Sequence, residues 1–342
     1  MQLELLGPIR FWRHGEEVSL GPPKQRAVLG LLAGRLGEVV SVEQIVDGVW
    51  GRDVPQSAAS GVHTYVAGLR RVLDPARGRR ASGGVLVSGS GGYCLRLPAE
   101  AVDAQLFTRH HAAARNLLAN GQTEAAIGQL ERALGLWHGD AYASVPGPFA
   151  EIERVRLTEA RLVAVEEWAD LLLTAGWHNQ VIPALVGHVG REPLRERLRS
   201  LLMLALYRCG RRAHALGVYR ETRELLMSEL GVEPGPELTA LHEQILNGHP
   251  ALMPRTVPGS VQLLRSMTAA PAGGADGWSA AEPRPRPQLQ PQQLQPQPQP
   301  QLQPQPQPPA RIAPAPAAGA TARRVPYARR PAGYTAVAEG SR

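Results

Sequence analysis

The stretch Ser57–Arg80, SAASGVHTYVAGLRRVLDPARGRR, decides the fold. Val62, Val66, Leu69 and Leu73 fall at i, i+4, i+7 and i+11, one apolar stripe of an α-helix. The other side carries His63, Thr64, Ala67, Arg70 and Arg71, small near its start and cationic near its end. Such a face can press close to a duplex and send guanidinium groups to phosphates or guanine edges in a major groove. An ordinary surface helix with arginines suited to its C-terminal dipole fits the same residues. The flanking sequence decides between the two.

Upstream, residues 2–20 read as two short strands, with alternation at Leu3 and Leu5, at Ile9 and Phe11, and at Val18 and Leu20. Gly21-Pro22-Pro23 then opens a helix that turns Ala27, Val28, Leu31, Leu32 and Leu36 inward. Ser41-Val42-Glu43-Gln44 is a capping box, stapled by Val40 and Ile45. It starts a short helix that ends at Gly51, and Ser57 is placed to cap the third helix. Downstream, Val85–Val87 and Tyr93–Leu97 flank a glycine-rich turn over Ser88–Gly92, which predicts a hairpin. Strands, three helices and a hairpin make a winged helix-turn-helix, with the third helix in the groove and the wing on the backbone.

The candidate DNA contacts follow. Arg70 and Arg71 are the strongest; His63, Thr64 and Ala67 can meet bases or a thymine methyl; Ser60 lies in the first turn, where backbone N–H groups attract phosphate. Lys24, Gln25 and Arg26 are candidate backbone contacts. Arg77, Arg79 and Arg80 can track phosphate between helix and wing. Gly91 and Gly92 shape the wing, and Tyr93 anchors it.

The totals agree. Net charge over the 342 residues is +7, spread as +3 over residues 1–100, −3 over 101–250 and +7 over 251–342. Lys24 is the sole lysine among 37 basic residues, which looks like a GC-rich coding bias and excludes a standard P-loop, since Lys24 follows two prolines. Cys94 and Cys209 form neither a disulfide framework nor a metal cluster, so no cofactor is expected. Gly89-Ser90-Gly91 is too short for a nucleophile elbow, and His110-His111 reads as a solvated pair, so no enzyme is expected. Without a signal peptide or a long apolar run, a cytoplasmic, nucleoid-associated protein that avoids membranes is expected.

Residues 101–247 read as helical throughout, in three helix pairs centred on Gly121, Gly176 and Gly210. The last two are 34 residues apart, the tetratricopeptide period. Ala114, Ala126, Ala169 and Ala215 fall where such repeats want small residues, and Pro193 closes the second unit. The first interval is 55 residues because Trp137–Phe149 intervenes. Such an array either offers a concave surface to a partner or only supports the winged helix in a dimer. From Leu252 onward periodicity is lost. Residues 283–309 hold 11 prolines and 11 glutamines, which predicts a disordered, partly polyproline II tail. The fold class is therefore mainly α with a small β component. A winged helix (1–98) is followed by an all-α tetratricopeptide-like domain (101–247) and a disordered tail (251–342).

LLGPIRFW, GPPKQRAVLGLL, VVSVEQIVDGVWG, HTYVAGLRRVLD and GGYCLRL in the first part match a known pattern. So do DAQLFTRH, EPLRERLRSLLMLALYRCGRRAHALGVYRETRELL and ELGVEPGPELTALHEQIL in the second. The chain resembles the Streptomyces antibiotic regulatory protein family of transcriptional activators over about residues 1–247. The resemblance implies an OmpR-type winged helix and a bacterial transcriptional activation domain. It also implies double-stranded DNA with promoter direct repeats as target, RNA polymerase holoenzyme as partner, and a homodimer on DNA. Many members carry a polar or basic residue where this helix has Ala67 or Gly68, so base readout is expected to rest on fewer side chains. Larger members append an NTPase module where this chain has its tail, and the N-terminal winged helix leaves no receiver domain as switch. A repressor or architectural binder, and a protein-interaction scaffold that has lost DNA binding, are the alternatives.

Overall fold

Six short strands and ten α-helices, with two 3₁₀ turns, make up the described part of the computed structural model, residues 1–75 and 84–253. Strands β1 (Gln2–Glu4), β2 (Arg10–Arg13) and β3 (Glu16–Glu17) form an antiparallel sheet in chain order. Three strands stand where two were expected, because His14 and Gly15 both take positive φ and fold β3 tightly back on β2. Leu5 lies beyond β1, and both it and Leu6 are fully buried.

Helix α1 (Pro23–Gly34) starts at Pro23 as the sequence predicts, since proline needs no N–H there. Helix α2 (Val42–Trp50) begins on the expected capping box, with both reciprocal Ser41–Gln44 bonds present. Helix α3 (Ala58–Leu73) buries Val62, Val66, Leu69 and Leu73 as its stripe requires. Ser57 does not cap it with its side chain; instead the Ser57 carbonyl accepts from Ser60 Oγ at 2.8 Å. Strands β5 (Leu86–Gly89) and β6 (Gly92–Leu95) form the wing, with β4 (Val40–Ser41) on the other edge of β6. The turn is tighter than expected. Gly89 pairs with Gly92, so only Ser90 and Gly91 lie between the strands.

The second half is seven helices: α4 (Asp103–Ala119), α5 (Thr123–Gly135), α6 (Pro148–Thr174), α7 (His178–Arg191), α8 (Glu196–Arg208), α9 (Arg212–Glu229) and α10 (Pro236–Leu246). Gly121, Gly176 and Gly210 all adopt left-handed φ between paired helices. Ala114, Ala126, Ala169 and Ala215 are all buried to 2 % exposure or less, the close packing a tetratricopeptide-like pair needs. His110 and His111 are not a solvated pair. His110 bonds Gln129 of α5 and His111 bonds Glu167 of α6, both at 2.7 Å, which ties α4 to both neighbours.

The two halves share one hydrophobic core. The segment between α5 and α6 supplies much of the join. Its His138, Tyr142 and Ala143 N–H groups donate to the carbonyls of Leu6, Leu5 and Gly7. Tyr142 is 1 % exposed and donates to the Gly30 carbonyl of α1 at 3.2 Å. Glycines make the room. A Cβ at Gly30 would come 2.9 Å from the Tyr142 ring, one at Gly34 2.7 Å from Phe149, and one at Gly147 2.6 Å from the Val49 carbonyl. Arg154 of α6 then gathers the Ala141, Tyr142 and Val145 carbonyls. A second tie is the buried Asp103 carboxylate, which accepts N–H groups from Leu5, Leu6 and Ala104 at 2.7–2.9 Å. Burial outweighs those donors and pushes its pKa up to about 6. The tail expected over 251–342 lies outside the described residues from position 254 onward.

Candidate nucleic-acid interface

The exposed side of α3 is one continuous strip. Ser60, His63, Thr64, Ala67 and Arg71 are all solvent-exposed, at i, i+3, i+4, i+7 and i+11. Local bonds within the helix fix two of them: Thr64 Oγ1 donates to the Ser60 carbonyl at 3.0 Å, and Arg71 Nε leans toward the Ala67 carbonyl at 3.4 Å. The strip's small centre leaves the helix backbone accessible, and its cation sits at the C-terminal end.

Arg70 stands apart from this strip. Its Nε donates to the Leu86 carbonyl at 3.0 Å and its Nη2 to Ser88 Oγ at 2.8 Å, while its guanidinium lies 5.5 Å from the centre of the Tyr93 ring. Arg70 therefore clamps the wing to α3 with two of its five N–H donors. It thus has a role within the protein that Arg71 lacks, beside the groove contact expected of both. Tyr93 anchors the wing as expected: it is 9 % exposed, and its hydroxyl meets His63 Nδ1 at 2.6 Å. Gly91 turns the wing at φ 74° with open space around it. Gly92 serves the sheet instead of the surface, since a Cβ there would come 2.0 Å from the Val40 carbonyl.

The Lys24-Gln25-Arg26 group divides in the same way. Lys24 Nζ donates to the Val49 carbonyl in the last turn of α2 at 2.7 Å and lies 5.1 Å from the Trp50 ring centre. Burial lowers its pKa. Gln25 is buried and donates to the Leu20 carbonyl at 2.8 Å. Arg26 is half-buried on the first turn of α1. Arg77, Arg79 and Arg80 lie outside the described residues. Gly68 also has an internal reason. A Cβ there would stand 2.4 Å from Gln25 Oε1, so the glycine is needed for α3 to pack on α1.

Some contributors carry no signal in the sequence. Arg13 of β2 donates to the Val72 carbonyl at 3.0 Å and steadies the end of α3 from across the domain. Ser88, read only as part of a turn, is the Arg70 partner. Among the described residues no group of three His, Cys, Asp or Glu side chains is placed to hold a metal ion, and no helix is long and apolar enough to cross a membrane.

Comparison with known proteins places both halves. Residues 15–95 match the family described as transcriptional regulatory protein, C terminal, and residues 102–246 match the bacterial transcriptional activator domain. The regulatory protein AfsR of Streptomyces coelicolor is 45 % identical over 253 residues, 74 % of this chain and 25 % of AfsR. The chain thus spans about a quarter of that relative. The regulatory protein DnrI of Streptomyces peucetius is 34 % identical over 256 residues, which cover 74 % of this chain and 94 % of DnrI. The solved structure of Mycobacterium tuberculosis EmbR, in complex with a low-affinity phosphopeptide, superposes with a TM-score of 0.67. It is 32 % identical and covers 79 % of this chain and 72 % of that one. By its domain order and by its match along nearly the whole of DnrI, the chain belongs to the Streptomyces antibiotic regulatory protein family of transcriptional regulators.

Proposed function

We propose that the chain is a sequence-specific DNA-binding activator that switches on a secondary-metabolite gene cluster. Residues 1–98 read promoter direct repeats as a homodimer, and residues 101–247 engage RNA polymerase holoenzyme. The role belongs in the cytoplasm, at the nucleoid. The observation that carries this reading is the bare α3 strip, Ser60 to Arg71, held beside a wing that Arg70 and Tyr93 fix in place. An exposed helix face with mostly small side chains and a terminal arginine suits a major groove, where phosphates position and base edges specify. The two copies are placed head to tail, since repeats of one orientation about one helical turn apart would put both on the same side of the duplex.

The test is binding of the full chain to its neighbouring promoter DNA across a salt series, followed by a promoter–reporter assay. A sequence-specific complex that weakens steeply with salt, with reporter output rising when the chain is present, is the expected result. Equal, weak binding to any duplex removes the specific-reader role, and falling reporter output turns the activator into a repressor.

A further inference from the structure

The shortest contact in the interface joins the wing to the reading strip: Tyr93 Oη lies 2.6 Å from His63 Nδ1. Three things hold the pair. Tyr93 is nearly buried, the Arg70 guanidinium lies 5.5 Å from its ring centre, and the His63 ring meets it edge-on at 6.0 Å and 71°. A neutral imidazole has one nitrogen that donates and one that accepts, and the bond at one nitrogen decides which is which. The contact fits either direction, but a phenol donates more strongly than it accepts and a neutral imidazole nitrogen is a good acceptor, which favours the hydroxyl donating to Nδ1. The ring proton then sits on Nε2, at the far edge of an exposed side chain midway along the strip.

We propose that Tyr93 is a positioning residue for sequence specificity, because it fixes His63 as an N–H donor toward DNA. Through Nε2, His63 then selects a base-edge acceptor (guanine N7 or O6, adenine N7, thymine O4) over an exocyclic amine. This deepens the DNA-reading proposal and rests on it. It also makes the wing part of base recognition without touching a base, since the Arg70 clamp that holds the wing holds the Tyr93 ring as well.

The experiment has two arms, both on the full chain. In the first, long-range ¹H–¹⁵N spectra of ¹⁵N-histidine-labelled protein are recorded at pH 8.5 without DNA, with His63→Gln identifying the resonances. The expected result is a pyridine-type Nδ1 and a protonated Nε2 in the wild type, moving toward averaged shifts in Tyr93→Phe. A protonated Nδ1 in the wild type overturns the proposal. In the second, duplexes selected from a randomised pool are varied base by base. One position is expected where replacing the acceptor by an amine weakens the wild type roughly five- to ten-fold. His63→Ala should lose that preference and Tyr93→Phe should blunt it. A preference that survives intact in His63→Ala overturns the readout. If the wild type selects no sequence at all, the DNA-reading proposal falls and the base readout with it, whereas the spectrum still reports the tautomer, so the two failures are told apart.

Discussion

The α3 strip and the α5–α6 junction use the same materials to opposite ends. At the junction the notches at Gly30, Gly34 and Gly147 are filled by an aromatic ring or a carbonyl, and Arg154 gathers three carbonyls at once. On the strip the small residues Ser60, Thr64 and Ala67 face open solvent, and Arg71 has only a long contact to its own helix. One region is finished by the chain itself; the other is left for something else to finish. Arg70 and Arg71 show the contrast within two adjacent residues, one pinned to the wing and one free to reach outward. Exposure, rather than charge alone, is what marks the proposed reading surface.

The contrast can be broken from the junction side first. Tyr142→Ala removes a ring buried against α1 and is expected to cost about 3–5 kcal/mol. The loss should appear as a large fall in Tm with one transition for both halves, because they share a core. Two separate transitions would show that the halves unfold independently. Asp103→Asn comes next. It sets an amide N–H₂ against N–H donors that now meet carboxylate oxygens, and about 1–3 kcal/mol is expected. Its pH dependence has a definite sign. Asp103 has its folded pKa raised to about 6, above the unfolded carboxylate range, so its proton-linked stability is present at low pH and lost as pH rises through about 6. The gap in Tm between wild type and Asp103→Asn should therefore narrow from pH 4.5 to pH 7; a widening gap would refute the assignment.

Two smaller effects sharpen the strip side. Gly68→Ala drives a methyl into Gln25 and should cost about 1 kcal/mol of stability, with base preference unchanged. Gln25→Ala should make the same substitution nearly neutral, and thermal melts of the four variants complete that cycle. For the two arginines, affinity across a salt series is the readout. Arg71→Ala should lower the salt slope by about one. Arg70→Ala should weaken all duplexes by a similar factor of a few-fold, because it loosens the wing rather than deleting a groove contact. A loss confined to one base pair in Arg70→Ala would return that residue to the groove.

Much of this architecture is legible along the chain because it is written in local periodicity. The α3 stripe, the Ser41–Gln44 box, the wing hairpin and the repeat glycines each need only a few neighbouring residues to be read. What stayed hidden depends on partners far away in sequence. Helical spacing sets Arg70 off the edge of the strip that holds Arg71, but its partner lies on a strand 16 residues later. Asp103 opens α4, and its partners Leu6 and Leu5 lie 97 and 98 residues upstream. Gly68, read as a missing base contact, is a packing requirement set by a glutamine on another helix. His110 and His111 looked solvated because their acceptors lie on α5 and α6.

The filled junction has a geometric consequence. If the halves act as the proposed reader and docking platform, sharing one core leaves no swivel between them, so the platform's compass bearing around the duplex is set by where the reader lands. Because B-DNA turns once in about 10.5 base pairs, moving the binding site by five base pairs swings whatever rides on helices α4–α10 to the opposite side. Moving it by a full turn restores the bearing at a new distance. In the proposed role the chain acts as a bracket rather than a tether, and its promoters would inherit a preference for phase as well as for sequence.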